Sequence, residues 1–274
     1  MRQMLSLLLA LVMLVGYQGG ETPSGTEAEP VRGNADVGVM TNVTTLEPGK
    51  LHVSTNAEFP PYVMKDGAGN YIGIDIEVAA AIAEKLGLEL VVENMSFDAA
   101  LMAVPAGQSD ITITGITATD DRLEIMDFSD PYVRNLQVVI VKENSGIVTL
   151  DDLYDVDFIG TQRDTTGYIY ASDIPENYGY GEDHVLAYDT GALAVQALLN
   201  GQIDAVIIDN GPAQAFVAAN PGLTILDTFY ADEDYAVGVQ RGNAQLLNAV
   251  NRAIAELRED GTLQAIFDKY IKAE

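Results

Sequence analysis

GQSDITIT at residues 107–114 returns 94 residues later (201 minus 107) as GQIDAVII at residues 201–208. Each copy follows apolar residues at helical spacing, so each predicts a helix that ends at a glycine and leads into a strand. In this register Gly115 and Asp209 are equivalent, and each is expected just past the carboxyl end of its strand. Open α/β sheets bind ligands at that edge. The repeat therefore indicates two similar lobes that face one another.

The sequence around the repeat alternates short apolar strands with longer helical segments, which is typical of an α/β protein. Residues 75–86 predict a helix with Asp75 as its N-cap and Gly87 as its end. Two more helices are predicted near the C-terminus, over 244–258 and 262–271.

Two strand-like segments, 137–141 and 235–239, flank the second copy of the repeat. If both cross between the lobes, the first lobe is built from both ends of the chain, and the adjacent crossings form a hinge. The predicted fold class is α/β, with two similar lobes of mixed, mainly parallel sheets joined by a two-strand hinge. The predicted boundaries are a signal segment at 1–17, a flexible linker at 18–45, one lobe at 46–137 plus 236–274, and the other lobe at 138–235.

The first residues predict export. Arg2 precedes an apolar run from Met4 to Val15, which matches a secretory h-region and is short for a membrane span. Residues 18–36 contain few large apolar side chains, as in a flexible tether. The alternative is a disordered N-terminus after a buried helix, but such a helix has no partner sequence beside it. We expect an exported, extracytoplasmic protein.

The composition excludes several kinds of site. The 274 residues carry a formal net charge of −27, which would repel a nucleic-acid backbone. The absence of Cys removes disulfides, thiolate metal sites and Cys nucleophiles. His52 and His184 are the only histidines, too few for a His-based metal centre or catalytic triad. We expect no cofactor, no metal ion and no nucleic-acid partner.

Six short motifs carry a resemblance to a known family. They are NAEFPPY at 56–62, GIDIE at 73–77, TDDR at 119–122, FSDPY at 128–132, DTTG at 164–167 and DGTLQ at 260–264. With these motifs in order, the chain from about Lys50 onward resembles the polar amino-acid solute-binding proteins of ABC importers (family 3 extracellular solute-binding proteins). The resemblance implies a type II periplasmic-binding-protein fold that encloses a free amino acid, delivers it to a membrane permease and performs no catalysis.

Lipoprotein members of that family carry a lipid on a Cys at the end of the signal region. Leu14-Val15-Gly16 looks like the start of such a box, but Tyr17 stands where the Cys is expected. A tyrosine cannot form the thioether, so a lipid anchor at this position is not expected.

Arg122 is the candidate partner of an amino-acid carboxylate. Its planar guanidinium can bind two oxygens at once, and its place in a predicted first helical turn after Thr119 brings backbone N–H groups towards an anion. The alternative is a surface salt bridge with Asp121 or Glu124, the commoner role of an arginine.

Thr165, Thr166 and Gly167 lie between a predicted strand at 158–160 and a predicted helix. Backbone N–H groups and a hydroxyl there would bind an anion, although an ordinary helix cap uses the same residue types. The resemblance implies that Thr166 and Arg122 share the ligand carboxylate across the cleft, so that binding favours closure.

Asp209 follows an apolar strand, and its family position indicates an ammonium partner; capping of the helix that follows is the alternative. Gly115 offers a carbonyl and Thr117 a hydroxyl from the other lobe, although Gly115 alone also fits a tight turn.

Family positions place Phe59 and Phe97 as walls around the ligand side chain, whereas core packing is the usual role of Phe. Asn56 is neutral where some family members that prefer cationic or amide side chains have an acid, and Gln162 adds a second neutral hydrogen-bonding group. We therefore expect a polar, uncharged amino acid as the ligand.

Two other classes of protein share this fold. A dehydratase-type enzyme would need an acid or base free to move protons, and Glu58 is the one candidate near the matched residues. A receptor sensor would be expected to continue into a second membrane segment or a kinase region, and the sequence to Glu274 contains neither.

Overall fold

Two five-stranded sheets organise residues 43–271, the part of the chain that this computed structural model describes. The strands are β1 Lys50–Thr55, β2 Met64–Lys65, β3 Tyr71–Ile72, β4 Glu89–Asn94, β5 Ile111–Thr112, β6 Met126–Phe128, β7 Val133–Lys142, β8 Ile159–Gln162, β9 Val185–Tyr188, β10 Ala205–Asp209, β11 Leu223–Tyr235 and β12 Gly238–Gln240. The α-helices are α1 Ile74–Leu86, α2 Phe97–Ala103, α3 Asp120–Ile125, α4 Thr166–Ala171, α5 Gly191–Leu199, α6 Asn210–Ala219, α7 Ala244–Glu259 and α8 Thr262–Tyr270. Short 3₁₀ helices cover Asp151–Asp155, Pro175–Asn177 and Glu182–His184.

The first sheet has the strand order β4-β1-β5-β12-β6, and the second has the order β11-β7-β10-β8-β9. In the first, β1 is parallel to β4 and β5, whereas β12 is antiparallel to β5 and β6. In the second, β8 is parallel to β9 and β10, whereas β7 is antiparallel to β10 and β11. The predicted α/β class with mixed sheets is confirmed. Half of the strand pairings within these two sheets are parallel, whereas the prediction was that most would be.

The first sheet takes its strands from both ends of the described chain, and the second takes them from the middle. β7 and β11 run antiparallel from Val133 opposite Tyr235 to Lys142 opposite Leu223. Because the first residue of β7 pairs with the last residue of β11, the segments that lead into and out of the second sheet lie side by side. The backbone N–H of Tyr132 donates to the carbonyl of Tyr235 at 2.9 Å.

The predicted single strand over 235–239 is wrong. β11 ends at Tyr235 in the second sheet, and β12 begins at Gly238 in the first. The acidic run at the end of β11 has the appearance of a loop, yet its residues alternate in burial: Glu233 is buried, whereas Asp232 and Asp234 are exposed. This alternation is that of a strand with one buried face.

The start of α1 also differs from the prediction, because Gly73 and not Asp75 is the N-cap residue. Gly73 has a φ of 126°, and a Cβ added there would lie 2.2 Å from the carbonyl oxygen of Tyr62. Only glycine fits this position. Asp75 lies inside the first turn and points towards the first sheet's loop at Gly115. The predicted end of the helix at Gly87 is confirmed by its left-handed conformation.

The repeat has the predicted structure in both copies. α2 is followed by Gly107 with a φ of 68° and then by β5, and α5 is followed by Gly201 with a φ of 71° and then by β10. Asp209 is the last residue of β10, whereas Gly115 follows β5.

Apolar residues form separate cores beside the two sheets. Leu51 and Val53 of the first sheet pack with residues of α1, α7 and α8. Ile140 and Val206 of the second sheet pack with Leu198 of α5. Within residues 43–271, no helix combines the length and apolar character needed to cross a membrane. The predicted signal segment and Tyr17 lie outside the described residues, as does most of the predicted linker.

Candidate functional site

A cavity lies between segments that belong to the two sheets. The residues that line it from the first sheet's segments are Asn56, Phe59, Phe97, Gly115 and Arg122, and those from the second sheet's segments are Gln162, Thr165, Thr166 and Asp209. All nine are residues that the sequence singles out. The tenth, Thr117, lies beside the cavity and accepts a hydrogen bond from Arg122. The structure thus brings the predicted site residues to one place.

Arg122 is held in the first turn of α3 and is only 6% exposed. Thr119 caps the helix, because its Oγ1 accepts from the backbone N–H of Arg122 at 3.4 Å. The side chain then reaches backbone oxygens on both sides of the cavity. Nη1 donates to the carbonyl of Thr117 at 2.9 Å, and Nη2 donates to the carbonyl of Asp164 at 2.8 Å.

The surroundings of the guanidinium suit an incoming anion. Across residues 43–271, no carboxylate oxygen lies within 4.0 Å of it, so the alternative salt bridge with Asp121 or Glu124 is wrong. Its Cζ lies 5.7 Å from the centre of the Phe97 ring. Burial lowers the pKa of Arg122, and the charge of Glu233 acts in the opposite direction. A buried cation bonded to neutral oxygens keeps a charge that a carboxylate would balance.

The two threonines after β8 differ in their hydrogen bonds. Thr165 caps α4: its Oγ1 accepts from the N–H of Tyr168 at 3.4 Å and donates to the carbonyl of Gln162 at 2.7 Å. Its hydroxyl is therefore used within the protein, as the helix-cap alternative predicts. Oγ1 of Thr166 accepts from Nε2 of Gln137 at 3.3 Å and donates to no described residue. The hydroxyl hydrogen of Thr166 is left for a group in the cavity.

Asp209 is 5% exposed and stands at the N-cap position of α6 without a side-chain cap hydrogen bond. The alternative in which its carboxylate caps that helix is therefore wrong. Its Oδ1 instead accepts from the hydroxyl of Tyr235 and from Nδ2 of Asn135. Burial and, secondly, the negative charge of Glu233 raise the pKa of Asp209 to about 7. An ammonium group beside it would favour the ionised carboxylate.

Gly115 lies in the left-handed region with a φ of 59°, and a Cβ there would be 2.6 Å from the ring of Phe59. Its N–H donates to Oδ2 of Asp75 at 2.7 Å, and the hydroxyl of Tyr132 donates to Oδ1 at 2.7 Å. Burial raises the pKa of Asp75 to about 7, while these two hydrogen bonds oppose the shift. Asp75 thereby holds the loop that brings Gly115 to the cavity.

The remaining wall is aromatic and neutral. The rings of Phe59 and Tyr62 stack with their centres 5.7 Å apart. Nδ2 of Asn56 donates to the carbonyl of Met95 at 2.9 Å, which leaves its Oδ1 without a hydrogen bond to another described residue. The side-chain amide of Gln162 lines the cavity without such a bond as well. Two neutral amides and aromatic rings are therefore available to a ligand side chain.

Four buried polar residues behind the cavity are missing from the sequence-based prediction: Asn135, Gln137, Glu233 and Tyr235. Asn135 and Gln137 lie at alternate positions of β7 and therefore share one face of the sheet, a pattern that marks a polar face. Glu233 stands in a run of acidic residues, and no pattern in that run distinguishes it from an exposed side chain.

The cavity therefore presents one cation, one carboxyl and several neutral groups to whatever enters it. Arg122 and the Thr166 hydroxyl can bind a carboxylate, and Asp209 can bind an ammonium. In charge and hydrogen-bonding capacity, these groups match the two ends of a zwitterion.

Comparison with known proteins gives a consistent result. The family model of bacterial extracellular solute-binding proteins, family 3, matches residues 51–273. The L-cystine-binding protein TcyJ of Escherichia coli (strain K12) is 32% identical over 247 residues, which cover 89% of this chain and 90% of that protein. A probable histidine-binding protein of Neisseria gonorrhoeae is 30% identical over 233 residues, covering 83% and 85%.

Solved structures resemble the fold as well. An ancestral arginine-binding protein bound to glutamine superposes with a TM-score of 0.74 at 37% identity, covering 83% of this chain and 100% of that one. The arginine-, lysine-, histidine-binding protein ArtJ of Geobacillus stearothermophilus gives a TM-score of 0.75 at 31% identity, covering 82% and 96%.

Proposed function

The chain belongs to the bacterial extracellular solute-binding proteins of family 3, and we propose that it binds a free amino acid between its two sheets and delivers it to an ABC importer. Its relatives are binding proteins for cystine, histidine and arginine. The family is extracellular, in agreement with the export expected from the N-terminal sequence.

The observation that carries the proposal is the burial of the Arg122 guanidinium, together with the hydrogen bonds that it makes. The Arg122 guanidinium is 6% exposed, donates only to backbone oxygens and has no carboxylate oxygen within 4.0 Å among residues 43–271. Burial of an uncompensated charge is costly, so a structure that maintains it gains from an anion that enters the cavity. The α-carboxylate of an amino acid supplies that anion, with the Thr166 hydroxyl as a second donor.

Asp209 provides the matching group for the ammonium. Its carboxyl is buried at the same cavity and receives hydrogen bonds from Tyr235 and Asn135, which hold its orientation. Gly115 adds a backbone carbonyl and Thr117 a hydroxyl; the buried Oγ1 of Thr117 has no hydrogen-bond partner among the described residues. A ligand or an ordered water would satisfy it.

We propose two lobes, one of residues 46–137 plus 236–274 and the other of residues 138–235. The hinge between them lies where β7 begins and β11 ends. Membership of the two sheets supports this division. Arg122 comes from one lobe, and Thr166 and Asp209 come from the other. Because one ligand then contacts both lobes, its binding favours the closed form.

The ligand side chain is polar and uncharged in this proposal. Asn56 and Gln162 are neutral, and each has a side-chain group that no described residue binds. A side chain with an amide or hydroxyl group can use both. Arg122 is the one cationic residue in the cavity lining and is matched by the α-carboxylate, so an acidic side chain would find no partner.

Catalysis is not part of the proposal. Glu58, the candidate base of the dehydratase alternative, has an exposed side chain and does not line the cavity. Asp209 would be held by the ligand ammonium. Incubation with a prephenate-like acid should give no product, and measured turnover would contradict this part of the proposal. Attachment to the membrane without a thioether lipid at Tyr17 stays a prediction.

Thermal unfolding in the presence of each of the twenty amino acids and of cystine tests the proposal. A ligand at about 100 times its Kd stabilises the folded protein by about 2.7 kcal/mol. We expect a clear rise in the unfolding temperature with a polar, uncharged amino acid and no rise with aspartate or glutamate. The absence of any shift across the panel would contradict amino-acid binding, and a shift confined to arginine and lysine would contradict the uncharged class.

A further inference from the structure

Glu233 is a buried carboxylate that lies outside the cavity lining described above. Its side chain belongs to β11, is 5% exposed and has no cationic nitrogen within 4.0 Å among residues 43–271. Oε2 accepts a hydrogen bond from Nε2 of Gln137 at 3.0 Å, and Oε1 has no described donor within 3.5 Å. Tyr170 is a neighbour of this carboxylate: burial and then the negative charge of Glu233 raise the pKa of its hydroxyl. Since burial of a carboxylate without a cation is costly, its retention calls for a role that a neutral residue would not fill.

Gln137 connects this carboxylate to the cavity. It lies on β7, opposite Ala231 of β11, and is 1% exposed. Its Nε2 donates both to Oε2 of Glu233 and, at 3.3 Å, to Oγ1 of Thr166. An ionised carboxylate only accepts hydrogen bonds, so the amide must turn its NH₂ and not its oxygen towards Glu233. Glu233, together with the Asp209 carboxyl to which the Gln137 side chain also donates, therefore turns the NH₂ end of the Gln137 amide towards Thr166.

The orientation of Gln137 decides what Thr166 can do. A hydroxyl that accepts a hydrogen bond still has one hydrogen to donate. With the NH₂ of Gln137 as its donor, Thr166 keeps that hydrogen for the cavity, and no described residue accepts it. If the amide were reversed, the oxygen of Gln137 would take the hydrogen of Thr166, and the hydroxyl would offer only lone pairs to a carboxylate.

We propose that Glu233 is a positioning residue for ligand binding: through the amide of Gln137 it directs the hydroxyl hydrogen of Thr166 towards the ligand carboxylate. The proposal rests on the proposed function, because it assigns Thr166 to the carboxylate of a bound amino acid. Glu233 does not touch the ligand, and its influence passes through two hydrogen bonds.

A double-mutant cycle separates this role from a structural one. Kd is measured calorimetrically for whichever of the twenty amino acids and cystine gives the largest thermal shift with the unmodified protein. Glu233→Gln removes the charge that selects the orientation of Gln137, and Thr166→Val removes the hydroxyl that the orientation controls. Asp234→Asn is the matched control, since Asp234 is an exposed neighbour on the same strand and the change in charge is the same.

We expect Glu233→Gln to raise Kd at least threefold without lowering the unfolding temperature of the ligand-free protein. In the Thr166→Val background the same change should leave Kd unaltered, and Asp234→Asn should leave Kd unaltered in either background. An equal effect of Glu233→Gln with and without the Thr166 hydroxyl would overturn the proposal, because the effect would then pass through another group such as Arg122. The absence of any effect on Kd would overturn it too.

A second route keeps the test decisive if Glu233→Gln does not fold. Gln137→Met breaks the same connection and leaves Glu233 in place, and its effect on Kd should likewise vanish in the Thr166→Val background. If none of the twenty amino acids and cystine shifts the unfolding temperature of the unmodified protein, the proposed function itself fails and this proposal falls with it. Binding by the unmodified protein together with an additive cycle contradicts the positioning role alone.

Discussion

Nη2 of Arg122 donates a hydrogen bond to the backbone carbonyl of Asp164 at 2.8 Å. Arg122 lies on α3, between strands of the first sheet, and Asp164 follows β8 of the second. The carbonyl belongs to a residue in the left-handed conformation, with a φ of 62°. One buried guanidinium therefore contacts both halves of the fold at the wall of the cavity, and the first prediction concerns this side chain.

The Arg122→Ala variant should fold and lose amino-acid binding. Removal of one partner of a buried, hydrogen-bonded charge pair costs about 2–5 kcal/mol, which weakens binding at least about 30-fold. Isothermal titration calorimetry measures the loss, and circular dichroism checks the fold. Arg252→Ala is the matched control, because Arg252 is exposed on α7. Retention of the unmodified protein's affinity by Arg122→Ala would contradict the role of Arg122.

Amino-acid affinity should rise with pH up to about pH 7. Burial and the charge of Glu233 raise the pKa of Asp209 to about 7, so the ligand-free protein holds a proton there at lower pH. A bound ammonium favours the ionised carboxylate, and binding therefore releases that proton. Calorimetry in two buffers of different ionisation enthalpy detects the release. A Kd that is constant between about pH 5 and pH 7 would refute the linkage.

The raised pKa of Asp209 also affects the stability of the ligand-free protein. Because the folded-state pKa of Asp209 lies above the ordinary aspartate value of 3.8, its contribution to stability is complete below that value and is lost as pH rises towards about 7. Asp209→Asn should therefore flatten the pH dependence of the unfolding free energy over this interval, as measured by urea titration. Equal slopes in the two proteins would show that Asp209 does not carry a raised pKa.

Gly115→Ala should both destabilise the fold and weaken binding. The left-handed φ and the 2.6 Å approach of a Cβ to the Phe59 ring act together here, at a cost of about 1–3 kcal/mol for the backbone strain alone. Urea titration and calorimetry measure the two effects. Gly107→Ala separates them: Gly107 has a φ of 68° with no atom within 4 Å of an added Cβ, and it is not one of the lining residues. That control should lose stability and keep its Kd.

Asn56→Asp should move the ligand preference towards cationic amino acids. A carboxylate would replace the free amide oxygen at the side-chain end of the cavity, where it could pair with a guanidinium or ammonium of the ligand. We expect the affinity for L-arginine relative to L-glutamine to rise about tenfold, or about 1.4 kcal/mol. Asn248→Asp, an exposed change of the same kind on α7, should leave the ratio as it was. An unaltered ratio in Asn56→Asp would place the ligand side chain elsewhere.

The sequence was informative about those parts of the fold that depend on local rules. The helix, glycine and strand of each repeat follow from spacing and from the left-handed conformations of Gly107 and Gly201. Five of the nine lining residues lie within the short family motifs: Asn56, Phe59, Arg122, Thr165 and Thr166. Gly115 and Asp209 follow from the register of the repeat. Thr119 as the cap of α3 was a local prediction too, since a threonine before an acidic first turn is a usual N-terminal pattern.

Contacts between residues that are far apart in the sequence could not be predicted from local patterns. The role of Asp75 depends on Gly115, forty residues later, and on the hydroxyl of Tyr132. Glu233 is buried only because β11 pairs with β7, which turns one residue of an acidic run inward. The change of sheet between Tyr235 and Gly238 likewise depends on tertiary packing and leaves no mark in local composition.

The position of β12 has a consequence for the folding of the protein during its synthesis. All strands of the second sheet precede Gly238 in the chain, whereas β12 lies between β5 and β6 in the first sheet. On the ribosome, the second sheet is complete while the first still has two open strand edges. Such edges are sites of aggregation, and they remain available until the last residues leave the exit tunnel. A chain that ends before Gly238 would leave the edges of β5 and β6 unpaired at the same time. We expect such a chain to be bound by chaperones or degraded by proteases.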